Sequence, residues 1–150
     1  MRKLLSAVGA TAITIALVGA GFQASSSAST AGRTLKFSSK PFSFTPLDVA
    51  PRGSSPGDGF VVAGHLVRNG EWDGIGTTQC TVTAVSGPVV VICESDFALS
   101  RGLVTTRTVN MGHGTQVVVT GGTGIYTGVQ GYGAITPTKT GVDVVLHLLG

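Results

Sequence analysis

Two acidic side chains and their basic neighbours are the clearest candidates for chemistry in this chain of 150 residues. Glu94 and Asp96 are two positions apart in a β-branched stretch that predicts a strand, so they should share one strand face. There they could orient a substrate or stabilise a developing cation. Alternatively, they are a solvent-facing pair beside a turn. Arg101 and Arg107 flank the next stretch and could pair with either acid, in a site or on the surface. We take Glu94, Asp96 and Arg107 as candidate catalytic residues.

The histidines and the single tryptophan carry weaker signals. His65 lies on an otherwise apolar strand face, where a lone histidine is more often a core or rim residue than a catalytic one. His113 and His147 fall in a turn and near a strand end, and the three are too dispersed to form a metal motif. Trp72 follows an Asn-Gly turn as a rim contact or as a packing residue. We therefore predict no metal site and no cofactor.

The two cysteines predict a structural disulfide. Cys80 and Cys93 flank two β-branched stretches, and a hairpin turning at Ser86-Gly87 places Ala84 opposite Val89 and the cysteines opposite each other. Free buried thiols and a metal site are the alternatives, but two cysteines without a nearby histidine make a poor zinc site. A loop of about 14 residues closed in this way contributes about 3 kcal/mol in the chain-entropy model.

The N-terminus has the order of parts of a secretory signal peptide. Arg2 and Lys3 precede an uncharged apolar run from Leu4 to Ala20, and small residues suited to cleavage follow up to Ala31. A membrane anchor is the alternative, although the run is slightly shorter than the roughly 20 residues that a span needs. We predict a secreted protein that has no stable membrane insertion once residues 1–31 are removed.

Charge and composition exclude one class of partner and indicate the fold class. The formal charge of +3 falls to +1 when Arg2 and Lys3 leave with the signal. No cluster of Lys and Arg remains, so a nucleic-acid-binding face is not expected. Only 11% of the residues are charged and 23 are glycine. Abundant Gly, Val and Thr favour a sheet protein with tight turns.

About eight strands separated by short turns must position the candidate residues. Turn signals include Asn69-Gly70, Ser100-Arg101-Gly102 and the segments 110–114 and 137–141. The predicted strands begin near Thr34 and span residues 34–47, 60–68, 76–85, 88–97, 103–109, 115–120, 129–136 and 142–149. No sustained helical periodicity follows the signal. The pattern predicts an up-and-down barrel or a sandwich.

The glycine-rich stretch from Thr120 to Gly131 predicts a bend between two strands. A phosphate-binding loop needs a Lys-Ser/Thr pair and a helix N-terminus, and a dinucleotide fingerprint needs its glycines to open a helix. Neither context is present here. Gly121, Gly122 and Gly124 are expected to supply positive φ angles or close backbone contacts.

The same stretch carries a family resemblance. VVVTGGTGIYTGVQGYG resembles the signature of the allene oxide cyclase and dirigent superfamily: a GGTG step, an aromatic two residues on, and a small-residue stretch ending in glycine. Gly57-Asp58-Gly59-Phe60 leads into a strand as in that family. DFALSRGLVTTRTVN is similar to a bacterial secreted branch. The resemblance covers roughly residues 57–149.

The resemblance implies an eight-stranded antiparallel barrel with a central cavity, often trimeric. Its members close a ring on an unstable epoxide, steer the coupling of phenoxy radicals, or cyclise polyketide-type products. Tyr126 matches the family's aromatic position, where its hydroxyl could reach the cavity or its ring could pack on the glycines, and it is the fourth candidate catalytic residue. The implied layout is a signal region at 1–31, a segment and loop at 32–56, and a barrel core at 57–150, with a first strand from about residue 34.

Three functions follow from this layout. A secreted barrel could bind a small hydrophobic molecule and act as a cofactor-free cyclase, isomerase or stereochemical guide, which predicts a cavity with convergent polar groups. A non-catalytic carrier predicts a cavity with almost none. A structural or interaction barrel predicts an interior filled by its own side chains.

Overall fold

The computed structural model describes residues 32–110 and 115–150, which form one closed antiparallel β-barrel. Each strand pairs with its neighbours in sequence, and β1 closes the ring by pairing with β8. The predicted all-β, eight-stranded barrel is therefore confirmed. The predicted signal peptide at residues 1–31 and His113 lie outside the described residues. The strands are β1 Arg33–Leu47, β2 Gly59–Arg68, β3 Glu71–Ala84, β4 Val90–Leu99, β5 Gly102–Asn110, β6 Thr115–Gly122, β7 Gln130–Thr138 and β8 Gly141–Leu149.

One strand boundary and one residue pairing show why the structure differs locally from the sequence prediction. β3 begins at Glu71 rather than Gly76, because Asn69 and Gly70 both adopt positive φ and make a tight two-residue turn. The predicted pairing of Ala84 with Val89 is wrong by one residue. Ala84 pairs with Val90, since the register shifts between Val82 and Ala84. Such a bulge places one extra residue in a strand and bends it, which helps a sheet to curve.

One half of the barrel interior is a packed hydrophobic core. Alternate residues of each strand point inward, and those near the start of β1 and the end of β8 meet those near the ends of β2 and β4 and the start of β5. We call this half the packed end. Leu66, Val104 and Leu146 are fully buried there, and the Phe37 ring packs edge-to-face on Phe97 with 4.9 Å between centroids. Burial of this apolar surface is the main stabilising term for so small a domain.

A glycine step closes the packed end. β6 ends at Gly122, and a short 3₁₀ turn at Gly124–Tyr126 places the Tyr126 side chain in the core with 1% of its surface exposed. A Cβ on Gly122 would lie 2.6 Å from the Leu103 carbonyl oxygen and 2.7 Å from that of Tyr126. Gly124 has φ +61°, and a Cβ there would lie close to the Arg101 carbonyl oxygen. These glycines allow the backbone to approach the β4–β5 turn.

The Cys80–Cys93 disulfide is confirmed. The two residues are opposite each other in the β3–β4 ladder, with 4.0 Å between their Cα atoms. The predicted pairing holds despite the bulge, because the shift lies between the disulfide and the turn.

Within residues 32–110 and 115–150, no helix is long and apolar enough to cross a membrane.

Candidate functional site

The other half of the barrel contains a cavity of about 620 Å³. It lies at the end of the barrel opposite the packed end, among the second halves of β1, β3, β5 and β7 and the first halves of β2, β4 and β8. We call this half of the barrel the cavity end. Its volume falls within the range of roughly 300–1,000 Å³ that is usual for small-molecule sites. The residues that line it are Ser39, Pro41, Phe44, Phe60, Val62, Thr78, Cys80, Val91, Cys93, Ser95, Phe97, Thr108, Asn110, Ile135, Pro137, Gly141, Val142 and Val144.

One wall of the cavity is almost entirely apolar. β7 and β8 contribute Ile135, Pro137, Val142 and Val144 to the lining. β8 is the strand across the barrel from β4, because the eight strands form a closed ring. A ligand face turned toward this wall can form dispersion contacts but finds almost no hydrogen-bond donor.

The opposite wall, built from β3, β4 and β5, carries hydroxyl groups and the disulfide. Thr78 and Ser95 are register partners, and the Thr78 hydroxyl donates to Ser95 Oγ at 2.9 Å. Two residues before Ser95 in β4, and closer to the cavity end, Cys93 is the register partner of Thr108. The Thr108 hydroxyl is buried, with no hydrogen-bond partner in the part of the chain that the structure describes. The cavity therefore has a polar side and an apolar side.

Aromatic rings mark the floor and the rim. Phe97 lies at the floor, supported by its edge-to-face contact with Phe37 in the packed end. Phe44 and Phe60 stack on each other at the rim with 5.5 Å between ring centroids, and Phe44 is 62% exposed. Exposed rings beside an apolar cavity offer flat contact surfaces to an entering molecule.

Asp58 anchors the β1–β2 loop at the cavity end. Its carboxylate accepts hydrogen bonds from the Ser55 backbone N–H at 2.7 Å, the Val49 backbone N–H at 2.9 Å and the Ser55 hydroxyl at 3.1 Å. The Ser55 and Val49 backbone amides stabilise the charged form and hold the pKa of Asp58 below its usual value. The loop between β1 and β2 is therefore tied to the rim by a charge-assisted network.

The described lining includes no charged side chain. Residues 32–110 and 115–150 also contain no group of three or more His, Cys, Asp or Glu side chains placed to hold a metal ion. A net charge on a ligand would thus find no opposite charge among these lining residues, which makes the site suited to neutral molecules.

Comparison with known proteins shows the fold. The chain matches no family of known proteins and no curated protein in sequence. Among solved structures, a pyocyanin demethylase superposes with a TM-score of 0.70 at 21% identity, over 78% of this chain and 100% of that one. A nonspecific heme-binding cyclase that catalyses a [4 + 2] cycloaddition during neoabyssomicin biosynthesis superposes with a TM-score of 0.58 at 14% identity. That match covers 78% of this chain and 65% of the cyclase.

A third structural neighbour is AbnU, an exo-specific intermolecular Diels-Alderase. It superposes with a TM-score of 0.57 at 16% identity, over 79% of this chain and 98% of its own. The three neighbours are eight-stranded barrels of the lipocalin or cyclase-like type. At these identities the likeness establishes the barrel architecture, which many unrelated activities share.

Three of the four predicted catalytic residues lie on the outer wall of the barrel. Glu94 and Asp96 alternate with the inward-facing Cys93 and Ser95 and are exposed. Arg107 is also exposed and is the register partner of Glu94 across the β4–β5 ladder. The structure thus brings Glu94 and Arg107 together, but outside the cavity. Their catalytic role stays a prediction, and the cavity geometry does not support it.

The fourth, Tyr126, lies in the packed end, away from the cavity. Its ring packs in the core beneath the Arg33 guanidinium, which lies 5.0 Å from the ring centroid. Its role in catalysis likewise stays untested. The two histidines in the described residues lie on the outer wall, where His65 packs against Phe42 and His147 against Tyr132.

Sequence reasoning missed the hydroxyl residues of the polar wall. Thr78, Ser95 and Thr108 are small polar residues in strands, where such residues are common on solvent-exposed faces. The available signal was Ser95: it alternates with Cys93 and Phe97, so the face of β4 that carries the disulfide also carries a hydroxyl. Recognising this required knowing that the disulfide face points inward.

Proposed function

We propose that this is an exported barrel of the allene oxide cyclase and dirigent type that binds a small, neutral, hydrophobic molecule in its cavity. On this proposal it acts without a cofactor, as a cyclase, isomerase or stereochemical guide. The observation that carries the proposal is the cavity itself, with an apolar wall, a hydroxyl-bearing wall and no charged side chain in its described lining.

The geometry is suited to selecting a conformation. A flexible conjugated molecule enclosed between the β7–β8 wall and the β3–β5 wall would lose most of its conformers, so the entropy cost of reaching a ring-closing geometry is met on binding. A concerted ring closure transfers no proton to the protein. It therefore needs neither the carboxylate nor the imidazole that the described lining lacks.

Two further features support the assignment. The glycine step at Gly121–Gly124, which carries the family resemblance, lies at the packed end of the barrel. The Cys80–Cys93 disulfide is typical of proteins that fold in an oxidising compartment, which agrees with export.

A non-catalytic carrier is the second candidate. The absence of acidic, basic or imidazole groups from the described lining favours it, since a carrier needs only shape and apolar contact. Carrier and cyclase share the binding step and differ in whether the bound molecule reacts faster than it does in water.

Filling the cavity tests the binding step. Ile135→Trp places a large ring on the apolar wall, and Val118→Trp makes the matched change on the outer wall, where Val118 is 52% exposed. We expect N-phenyl-1-naphthylamine, a neutral dye that fluoresces in apolar surroundings, to bind the wild-type protein and Val118→Trp alike. Ile135→Trp should weaken its binding by at least about tenfold, provided that thermal unfolding shows both variants folded.

Equal dye binding by Ile135→Trp and the wild-type protein would contradict the proposal. The catalytic step is then tested with a neutral triene that cyclises slowly by an intramolecular Diels–Alder reaction. A cyclase or guide raises the rate or the stereoisomer ratio, and Ile135→Trp abolishes the effect. Binding without either change, across a panel of such trienes, favours the carrier.

A further inference from the structure

The β5 strand carries two buried hydroxyl groups without partners in the described part of the chain, and one of them lines the cavity. Thr106 is 2% exposed and Thr108 is 4% exposed, and neither hydroxyl oxygen has a hydrogen-bond partner among residues 32–110 and 115–150. Buried polar groups in folded proteins are nearly always hydrogen-bonded, because leaving one unpaired loses its bond to water without replacement. Thr108 lines the cavity, so its hydroxyl can take a partner that comes from outside the chain, whereas Thr106 is not a lining residue.

A third hydroxyl lies beside them. Ser95 is the register partner of Thr106 and accepts the hydrogen bond that the Thr78 hydroxyl donates. A serine hydroxyl that accepts in this way still has its own hydrogen to donate. Thr108 is the diagonal neighbour of Ser95 across the β4–β5 ladder, and both side chains line the cavity, so one ligand can contact both hydroxyls.

We propose, on the basis of the cavity-binding function above, that the hydroxyls of Ser95 and Thr108, which both line the cavity, form the anchor for an oxygen atom of the ligand. The ligand class is a neutral molecule that carries a carbonyl group at one edge and an apolar, conjugated body at the other. Its carbonyl oxygen, which has two lone pairs and no hydrogen, accepts from the hydroxyls, while its body faces the β7–β8 wall.

The arrangement favours a carbonyl over a carboxylate. A carboxylate would enter a cavity whose described lining offers hydroxyl donors but no cation, and burying a net charge without a counter-charge is strongly unfavourable. A carbonyl conjugated with an alkene gains more, because hydrogen bonds strengthen as negative charge develops on the oxygen during bond formation at the alkene. The same anchor thus orients the ligand and activates it.

Two probes that differ only in the carbonyl group test the proposal. Prodan is a neutral naphthyl ketone whose emission moves to longer wavelength when its carbonyl accepts hydrogen bonds, and 2-dimethylamino-6-propylnaphthalene is the counterpart in which a methylene group replaces the carbonyl. We expect Thr108→Val to raise the Kd for prodan about five- to tenfold and to shift the emission of the bound dye to shorter wavelength. The Kd for the carbonyl-free probe should change by less than about twofold.

Thr77→Val, on the exposed outer face of β3, is the matched control that should change the Kd of neither probe. The free Thr108→Val protein should unfold at the same or a higher temperature than the wild-type protein, because an unpaired buried hydroxyl has been replaced by a methyl group. A ligand anchor predicts this opposition between stability and affinity. A purely structural hydroxyl predicts a loss of both.

The outcomes separate this inference from the proposed function. If neither probe binds the wild-type protein, the cavity-binding function itself is wrong. If both probes bind but Thr108→Val leaves the prodan Kd and emission unchanged, or weakens the binding of both probes equally, the carbonyl anchor is wrong while the cavity function stands.

Discussion

Single glycines determine how closely the backbone segments approach at the packed end. Gly122 has no room for a side chain, since a Cβ would lie within 2.8 Å of both the Leu103 carbonyl oxygen and two atoms of Tyr126. Its neighbour Gly121 is different: the nearest atom to a Cβ there is Thr105 Oγ1 at 3.6 Å, an ordinary contact. Two adjacent glycines of one motif therefore have unequal structural importance.

We predict that Gly122→Ala destabilises the protein by about 2–4 kcal/mol, because the backbone must move away from Leu103 and Tyr126 to admit the methyl group. Gly121→Ala should stay within about 1 kcal/mol of the wild-type protein in either direction. Urea unfolding followed by fluorescence measures both. Equal stability of the two variants would show that the close approach at Gly122 relaxes without cost.

The β1–β2 loop is the element whose geometry depends on one titrating group. Backbone amides of Ser55 and Val49 donate to the Asp58 carboxylate and lower its pKa. A group whose folded pKa is depressed contributes stability that is present above its unfolded pKa, near 3.9 for an aspartate, and lost as the pH falls through the folded value. The loop should thus stay anchored at neutral and mildly acidic pH and loosen only below about pH 4.

We predict that Asp58→Asn exposes the Ser55 and Val49 amides to faster hydrogen exchange at pH 7, because an amide side chain accepts these bonds more weakly than a carboxylate does. In the wild-type protein, the NMR signals of the same amides should titrate with a midpoint below about pH 3.9. Asp48→Asn, in the same loop, is the control and should leave both observations unchanged. A midpoint at or above the ordinary aspartate value would contradict the anchoring role.

The whole molecule is a barrel that is half filled. Core side chains occupy the packed end, whereas the cavity end encloses about 620 Å³ of space between its walls. Interior atoms beside empty space lose the dispersion contacts that close packing provides. A ligand that fills the cavity should restore these contacts and stabilise the folded chain as a whole. The predicted homo-oligomer, a trimer by resemblance, stays a prediction.

We predict that a saturating neutral ligand raises the melting temperature in proportion to the logarithm of its concentration. At 100 times the Kd the gain is about 2.7 kcal/mol, which corresponds to a shift on the order of 10 °C for a domain of this size. The Kd should change little between low and high salt, because no charged side chain appears in the described lining. Calorimetry at several ligand and salt concentrations measures both, and a steep salt dependence would indicate binding at another surface.

The sequence by itself determined the elements and the covalent link. Turn residues such as Asn69-Gly70 separate β-branched stretches, and strand geometry then placed Cys80 opposite Cys93. These features are local: each depends on backbone preferences or on residues within one hairpin, so short-range rules suffice. The bulge after Val82, which moved the partner of Ala84 by one residue, is the point in that hairpin where the local rule was not enough.

Only the tertiary structure decided which strand faces point inward and how much of the interior they fill. Both faces of β4 are apolar at its start, so the pattern could not show that Cys93 and Ser95 face the cavity while Glu94 and Asp96 face outward. Whether an eight-stranded ring is filled or hollow depends on strand tilt and stagger and on the side chains that meet across it. Those contacts join residues far apart in the chain, and no local pattern records them.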